Sequence, residues 1–68
     1  MKCIYDCKGR LVCKVDPDTG FIESKYQKLT MRTTLPLRTS LVIEREKVWT
    51  KITRVDNQHF YVESKVLS

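Results

Sequence analysis

Residues 1–20, MKCIYDCKGRLVCKVDPDTG, hold two turn signatures around a short apolar run, and those turns decide the fold. In Asp6-Cys7-Lys8-Gly9 the aspartate stands first and the glycine fourth, the preferred placing for a type I turn whose glycine takes a positive φ. A three-residue hairpin loop then sets Tyr5 against Leu11, Ile4 against Val12 and Cys3 against Cys13. In Asp16-Pro17-Asp18-Thr19-Gly20, Pro17 presets the first turn residue and Gly20 closes the loop in a left-handed conformation. That loop sets Val15 against Ile22, Lys14 against Glu23, Cys13 against Ser24 and Leu11 against Tyr26.

The two registers agree with one another. One face of the resulting meander collects Cys3, Tyr5, Leu11, Cys13, Val15, Ile22, Ser24 and Tyr26, and is the expected core face. The other collects Lys14, Glu23 and Lys25, with Ile4 and Val12 as its apolar members. A slip of one residue in either hairpin would undo this separation.

Strand signals continue through the remaining sequence. Val, Ile, Thr and aromatic residues are frequent, alanine is absent, and apolar residues recur in short runs bounded by turn residues. No long stretch carries a helical period. The expected strands lie near 2–6, 10–16, 21–29, 40–45, 47–55 and 59–64. An irregular connection covers about 30–39, where Pro36 opposes a central strand and Leu35 before it is extended. Met31, Leu35 and Leu37 are expected to cover one end of the core. Leu41 and Ile43 share one strand face and Glu44 projects from the other, while the chain turns at Arg45-Glu46-Lys47 without a glycine. Trp49 and Ile52 fall on opposite faces of their strand. The Asp56-Asn57-Gln58 turn sets Lys51 opposite Glu63 and Ile52 opposite Val62. Five to six short strands in 68 residues predict a single all-β domain over 1–68. Its expected form is a strongly curved antiparallel sheet or a small SH3-like or OB-like barrel.

The three cysteines, Cys3, Cys7 and Cys13, all fall within the first hairpin. Zinc takes four ligands, usually in two close pairs, whereas these are spaced irregularly and only His59 could supply a fourth. A disulfide between facing Cys3 and Cys13 is geometrically allowed. Small buried hydrophobes at Cys3 and Cys13, with Cys7 at the hairpin tip, is the favoured reading. No cofactor is expected. An odd cysteine count suits a reducing compartment, and no run approaches the about 18 apolar residues of a membrane span. A cytoplasmic location without membrane attachment is the expectation.

The formal net charge is +5, and its placement is informative. No acidic residue stands between Glu23 and Glu44, whereas Lys25, Lys28, Arg32 and Arg38 fall there, interleaved with Thr30, Thr33, Thr34, Thr39 and Ser40. Cations and hydroxyls in this mixture suit phosphate contacts. A solvated basic face is the plainer explanation. Tyr26 could stack on bases, although its register points it to the core while Lys25 points away.

Catalytic patterns are absent. His59 is the only histidine and sits beside a turn. No glycine-rich phosphate loop, carboxylate pair or Ser-His-Asp order is present. The chain is therefore not expected to be an enzyme.

The succession GRLV (9–12), DPDTG (16–20), LPLRTSLVI (35–43), VWTKITRV (48–55) and HFYVES (59–64) resembles a group of small β proteins. They are encoded on Gram-positive plasmids, phages and conjugative elements and known only as a domain of unknown function. The resemblance spans about residues 9–63. Glycine is common in that pattern where this chain has Arg38. The resemblance implies a mobile-element origin and a small β fold, and carries over no functional residue.

Two expectations about function follow. The favoured one is a small non-catalytic protein-binding module, an inhibitor or adaptor from a mobile element. Ile4, Val12, Trp49 and Tyr61 are its contact candidates, since aromatic residues dominate binding hot spots. The alternative is a nucleic-acid-binding barrel using Lys25, Lys28, Arg32 and Arg38.

Overall fold

The computed structural model describes residues 1–67. Seven strands follow in order: β1 (Lys2–Tyr5), β2 (Leu11–Asp16), β3 (Phe21–Tyr26), β4 (Leu29–Thr34), β5 (Ser40–Arg45), β6 (Val48–Arg54) and β7 (Phe60–Val66). β1–β4 form one antiparallel meander and β5–β7 a second. Among the described residues no ladder joins the two sheets, so the all-β expectation holds while the strands do not close into one barrel. None of the described residues forms a helix long and apolar enough to cross a membrane.

One core lies between the sheets. Ile4, Val12, Cys13, Val15 and Ile22 come from the first sheet, Ile52 from the second and Leu35 from the connection. Leu41, Ile43, Phe60 and Val62 pack around it. Val15, Ile22 and Ile52 are fully buried, each contributing roughly 1.5–3 kcal/mol relative to exposure. The sequence places them correctly: Val15 pairs with Ile22, Lys14 with Glu23, Ile52 with Val62 and Lys51 with Glu63.

The first hairpin departs from its expected register. Tyr5 does pair with Leu11, but Ile4 pairs with Cys13, Cys3 with Lys14 and Lys2 with Val15. Val12 is the extra residue of a β-bulge, left without a partner on β1. The bulge turns β1 over relative to β2. Ile4 therefore faces inward beside Cys13, and both Val12 and Cys13 are buried. Cys3, Tyr5 and Leu11, expected in the core, are exposed instead.

The connection expected over 30–39 contains the fourth strand. A two-residue turn at Gln27-Lys28 returns the chain after Tyr26, with Tyr26 paired to Leu29. Gln27 supplies the left-handed geometry at φ 55°. β-branched Thr30, Thr33 and Thr34 then suit an extended edge. Leu35 covers the end of the core, as expected, whereas Met31 and Leu37 remain exposed.

Arg38 also adopts a left-handed conformation, at φ 62°. Its N–H donates to the Arg54 carbonyl (2.7 Å), and the Arg54 N–H donates to the Thr39 carbonyl (3.0 Å). These bonds lead the chain into the second sheet. The β5–β6 hairpin turns on Glu46 and Lys47, at φ 49° and 65°. Two successive positive φ values define a type I′ turn, here built without the usual Asn-Gly.

Candidate functional site

Strand alternation and the two ladders of the second sheet define its outer face. Its rows are Ser40–Thr53–Tyr61, Val42–Lys51–Glu63 and Glu44–Trp49–Lys65, running across β5, β6 and β7. Residues of β6 between these rows point the other way, and Val48, Thr50, Ile52 and Arg54 are all buried. Trp49 is thus held on the outside by the same alternation that buries Ile52.

This face combines aromatic surface with balanced charge. The Lys65 ammonium lies 5.0 Å from the Trp49 ring centroid, a cation–π contact. Tyr61 is 58 % exposed and Val42 48 %. Lys51 and Lys65 offset Glu44 and Glu63, so the face carries no net charge. Ser40 and Thr53 hydroxyls meet at 2.8 Å and satisfy one another. Of the four protein-contact candidates, Trp49 and Tyr61 therefore share this face, in rows separated by Val42–Lys51–Glu63. Ile4 and Val12 are not contact residues, because the β2 bulge turns both into the core.

The basic candidates are dispersed. Lys25 and Arg32 share the outer face of the first sheet, where Arg32 Nε donates to Glu23 Oε2 (2.8 Å). That hydrogen bond, more than the surrounding cations, holds the Glu23 carboxyl below its ordinary range. Lys28 lies in the turn before β4, whereas Arg38 lies beyond its other end, beside β6. The six-residue length of β4 separates them. A basic stretch contiguous in sequence is thus divided by the fold.

The cysteines do not converge. Cys7 lies at the exposed hairpin tip, as expected, and its N–H donates to Ser64 Oγ (3.0 Å). Cys3 is exposed beside Lys14, while Cys13 is buried, so the expected facing pair is absent. Burial pushes the Cys13 thiol up to about 11. His59 sits in the β6–β7 turn with Nδ1 3.0 Å from Asp56 Oδ1. The Gln58 N–H, and after it His59, lower the Asp56 carboxyl from its ordinary value. Among the described residues no three potential metal ligands cluster.

Three arginines that the sequence does not distinguish have defined places. Arg54, buried, donates to the carbonyls of Leu35 (3.1 Å), Pro17 (3.2 Å) and Asp18 (3.0 Å), while its Nε finds no partner among the described residues. Arg45 bonds Ser24 Oγ and lies 4.7 Å over the Tyr26 ring. Arg10 bonds Asp6 within its own hairpin and Glu46 across the sheets, and the Arg10 N–H is the main cause of a lowered Asp6 carboxyl. Searches among protein families, curated proteins and solved structures find no match to this chain.

Proposed function

We propose that this chain is a small non-catalytic protein-binding module acting in the cytoplasm, with the outer face of β5–β7 as its contact surface. The observation carrying this reading is the joint presentation of Trp49 and Tyr61 on a face without net charge. Flat aromatic surface with offset charges suits the apolar centre of a protein interface, where ionic residues are depleted and aromatic residues dominate affinity. A polyanion would gain nothing from that face. The similarity to mobile-element proteins points to an inhibitor or adaptor of a host protein.

The test is affinity capture with the intact protein, followed by Trp49→Ala and Tyr61→Ala. A single retained partner, lost from both variants while their spectra remain native, supports the reading. A partner retained equally by both variants removes it. The nucleic-acid alternative rests on the net charge of +5 and on Lys14, Lys25 and Arg32 across the first sheet. Titration of labelled DNA and RNA at two salt concentrations separates the readings. Affinity weaker than about 10⁻⁴ M at low salt excludes the alternative, and tight binding with a steep salt slope favours it.

A further inference from the structure

The two sheets are unequal, four strands facing three. The mismatch falls at one edge. Along β4 only Thr33 is even half-buried; Leu29 is 76 % exposed and Met31 38 %. By their pairing, Leu29 with Tyr26 and Met31 with buried Ser24, both point to the inner side of the sheet. An inner face left bare is what an absent strand of the opposite sheet would leave. The groove there has Leu29, Met31 and Tyr26 on one side and Glu44, Arg45 and Glu46, at the end of β5, on the other.

Among the described residues the β5 edge bordering this groove is unpaired, and it is correctly oriented. The Arg54 N–H to Thr39 carbonyl bond identifies Ser40–Thr53 as a pair that exchanges no backbone hydrogen bonds. Alternation along the ladder then bonds Leu41 to Ile52, Ile43 to Thr50 and Arg45 to Val48. The N–H and C=O groups of Val42 and Glu44 consequently face the vacant edge. β5 runs for six residues without a bulge or proline, the devices that usually blunt such an edge.

The charge of the occupant follows from Arg45. Its guanidinium is half-buried against Tyr26, and among the described residues no carboxylate lies within 4.0 Å of it, whereas Arg10 and Arg32 both have carboxylate partners. Glu46, the nearest acid in sequence with an inter-sheet contact, is engaged by Arg10 at 2.6 Å. A second copy of this chain fits poorly. Offering its own β5 edge would bring its own overhanging β4 into the same space.

We propose that the β5 edge above the uncovered face of β4 docks an extended acidic segment of a partner protein. The segment adds as a fourth strand to the three-stranded sheet. Its inward side chains cover Leu29 and Met31, and one carboxylate meets Arg45. Main-chain hydrogen bonds would supply affinity and the alternate side chains specificity, as in other strand-addition complexes. The site uses the edge of β5 and the inner face of β4, whereas Trp49 and Tyr61 lie on the outer face of β5–β7, where Glu44 is the cross-strand neighbour of Trp49.

The experiment is selection of displayed random octapeptides against the intact protein, followed by amide-shift mapping with the synthesised winners. Winners should alternate apolar residues, carry Asp or Glu, lack internal proline, and shift the amides of Val42–Arg45 and Leu29–Met31. Val42→Pro removes an edge-facing N–H while leaving the β6 ladder bonded, and should weaken binding about tenfold or more. Arg45→Gln should do the same for acidic peptides alone. Should Arg45→Gln lose its native spectrum, Met31→Glu at the exposed groove wall replaces it, with the same expected loss.

Winners without acidic residues, or binding unaffected by Val42→Pro, overturn the proposal. So does the absence of any peptide binding tighter than about 1 mM. Sedimentation is the final arm: a dimer abolished by Met31→Glu would make a second copy the occupant and overturn it as well.

Discussion

Gly20 and the Arg54 guanidinium are in direct apposition: a Cβ at residue 20 would stand 2.6 Å from Arg54 Nη1 and would also overlap the Leu35 carbonyl oxygen. Gly20 further takes φ 81°, a conformation costly for residues with a side chain. Its carbonyl accepts the Leu35 N–H (2.8 Å), so residue 20 lies where the β2–β3 turn, the inter-sheet connection and β6 meet. Gly20→Ala combines backbone strain with a clash against main chain, which cannot move aside as a side-chain tip could. It should lower unfolding free energy by about 2–4 kcal/mol, measured by urea denaturation. A loss below about 0.5 kcal/mol would show that the junction relaxes freely.

Arg54 is the other half of that junction. It is buried, and its hydrogen-bond acceptors are three main-chain carbonyls from two separate segments. Removing the donors leaves those carbonyls short of partners, at about 1–3 kcal/mol for each that water cannot reach. Arg54→Ala should therefore destabilise by roughly 2–4 kcal/mol. Arg54→Lys should recover little, because one ammonium cannot reproduce the planar fork that spans Leu35, Pro17 and Asp18. Equal stability of the lysine variant and the native protein would assign the effect to charge alone.

The β5–β6 turn predicts a gain. Lys47 is exposed at φ 65°, following Glu46 at φ 49°, and among the described residues its side chain makes no hydrogen bond or ion pair. Glycine adopts this conformation without the Cβ penalty, at some cost in unfolded-chain entropy. Lys47→Gly should raise stability by about 0.5 kcal/mol and leave the Arg45–Val48 register unchanged. A fall in melting temperature would contradict the type I′ assignment.

How far the fold was legible depended on how local its causes were. The pairings of Val15 with Ile22 and Ile52 with Val62 follow from turns whose residues are adjacent in sequence, and both are found. The alternation that puts Trp49 outside is equally local. The β2 bulge has no comparable signature, because Val12 is an ordinary strand residue and the insertion exists only relative to β1. It alone moved Ile4 and Val12 from the contact candidates into the core. β4 was hidden because Gln27, not glycine, takes the positive φ of its turn. Arg54 was hidden because its carbonyls come from residues 17, 18 and 35, which only the tertiary fold assembles. The basic run from Lys25 to Arg38 misled for the converse reason: neighbours in sequence were divided by a hairpin and a crossover.

The cysteines give the last prediction. Cys3 and Cys7 are exposed and Cys13 is buried, so a thiol reagent near neutral pH should find two fast groups in the native protein and three after unfolding. Burial raises the Cys13 thiol from an ordinary value of 9.0 to about 11, which makes it a stability group at alkaline pH. The folded chain keeps its proton where the unfolded chain has lost it. Its contribution is present in full below 9.0 and is lost as pH rises through about 11. Cys13→Val keeps an apolar residue of similar size and removes the titration. Between those values the native protein should therefore lose stability with pH faster than the variant, as urea midpoints would record. Parallel curves would mean that Cys13 ionises alike in both states. A single fast thiol would instead place Cys3 back against the core, facing Cys13, and return the first hairpin to an unbulged register.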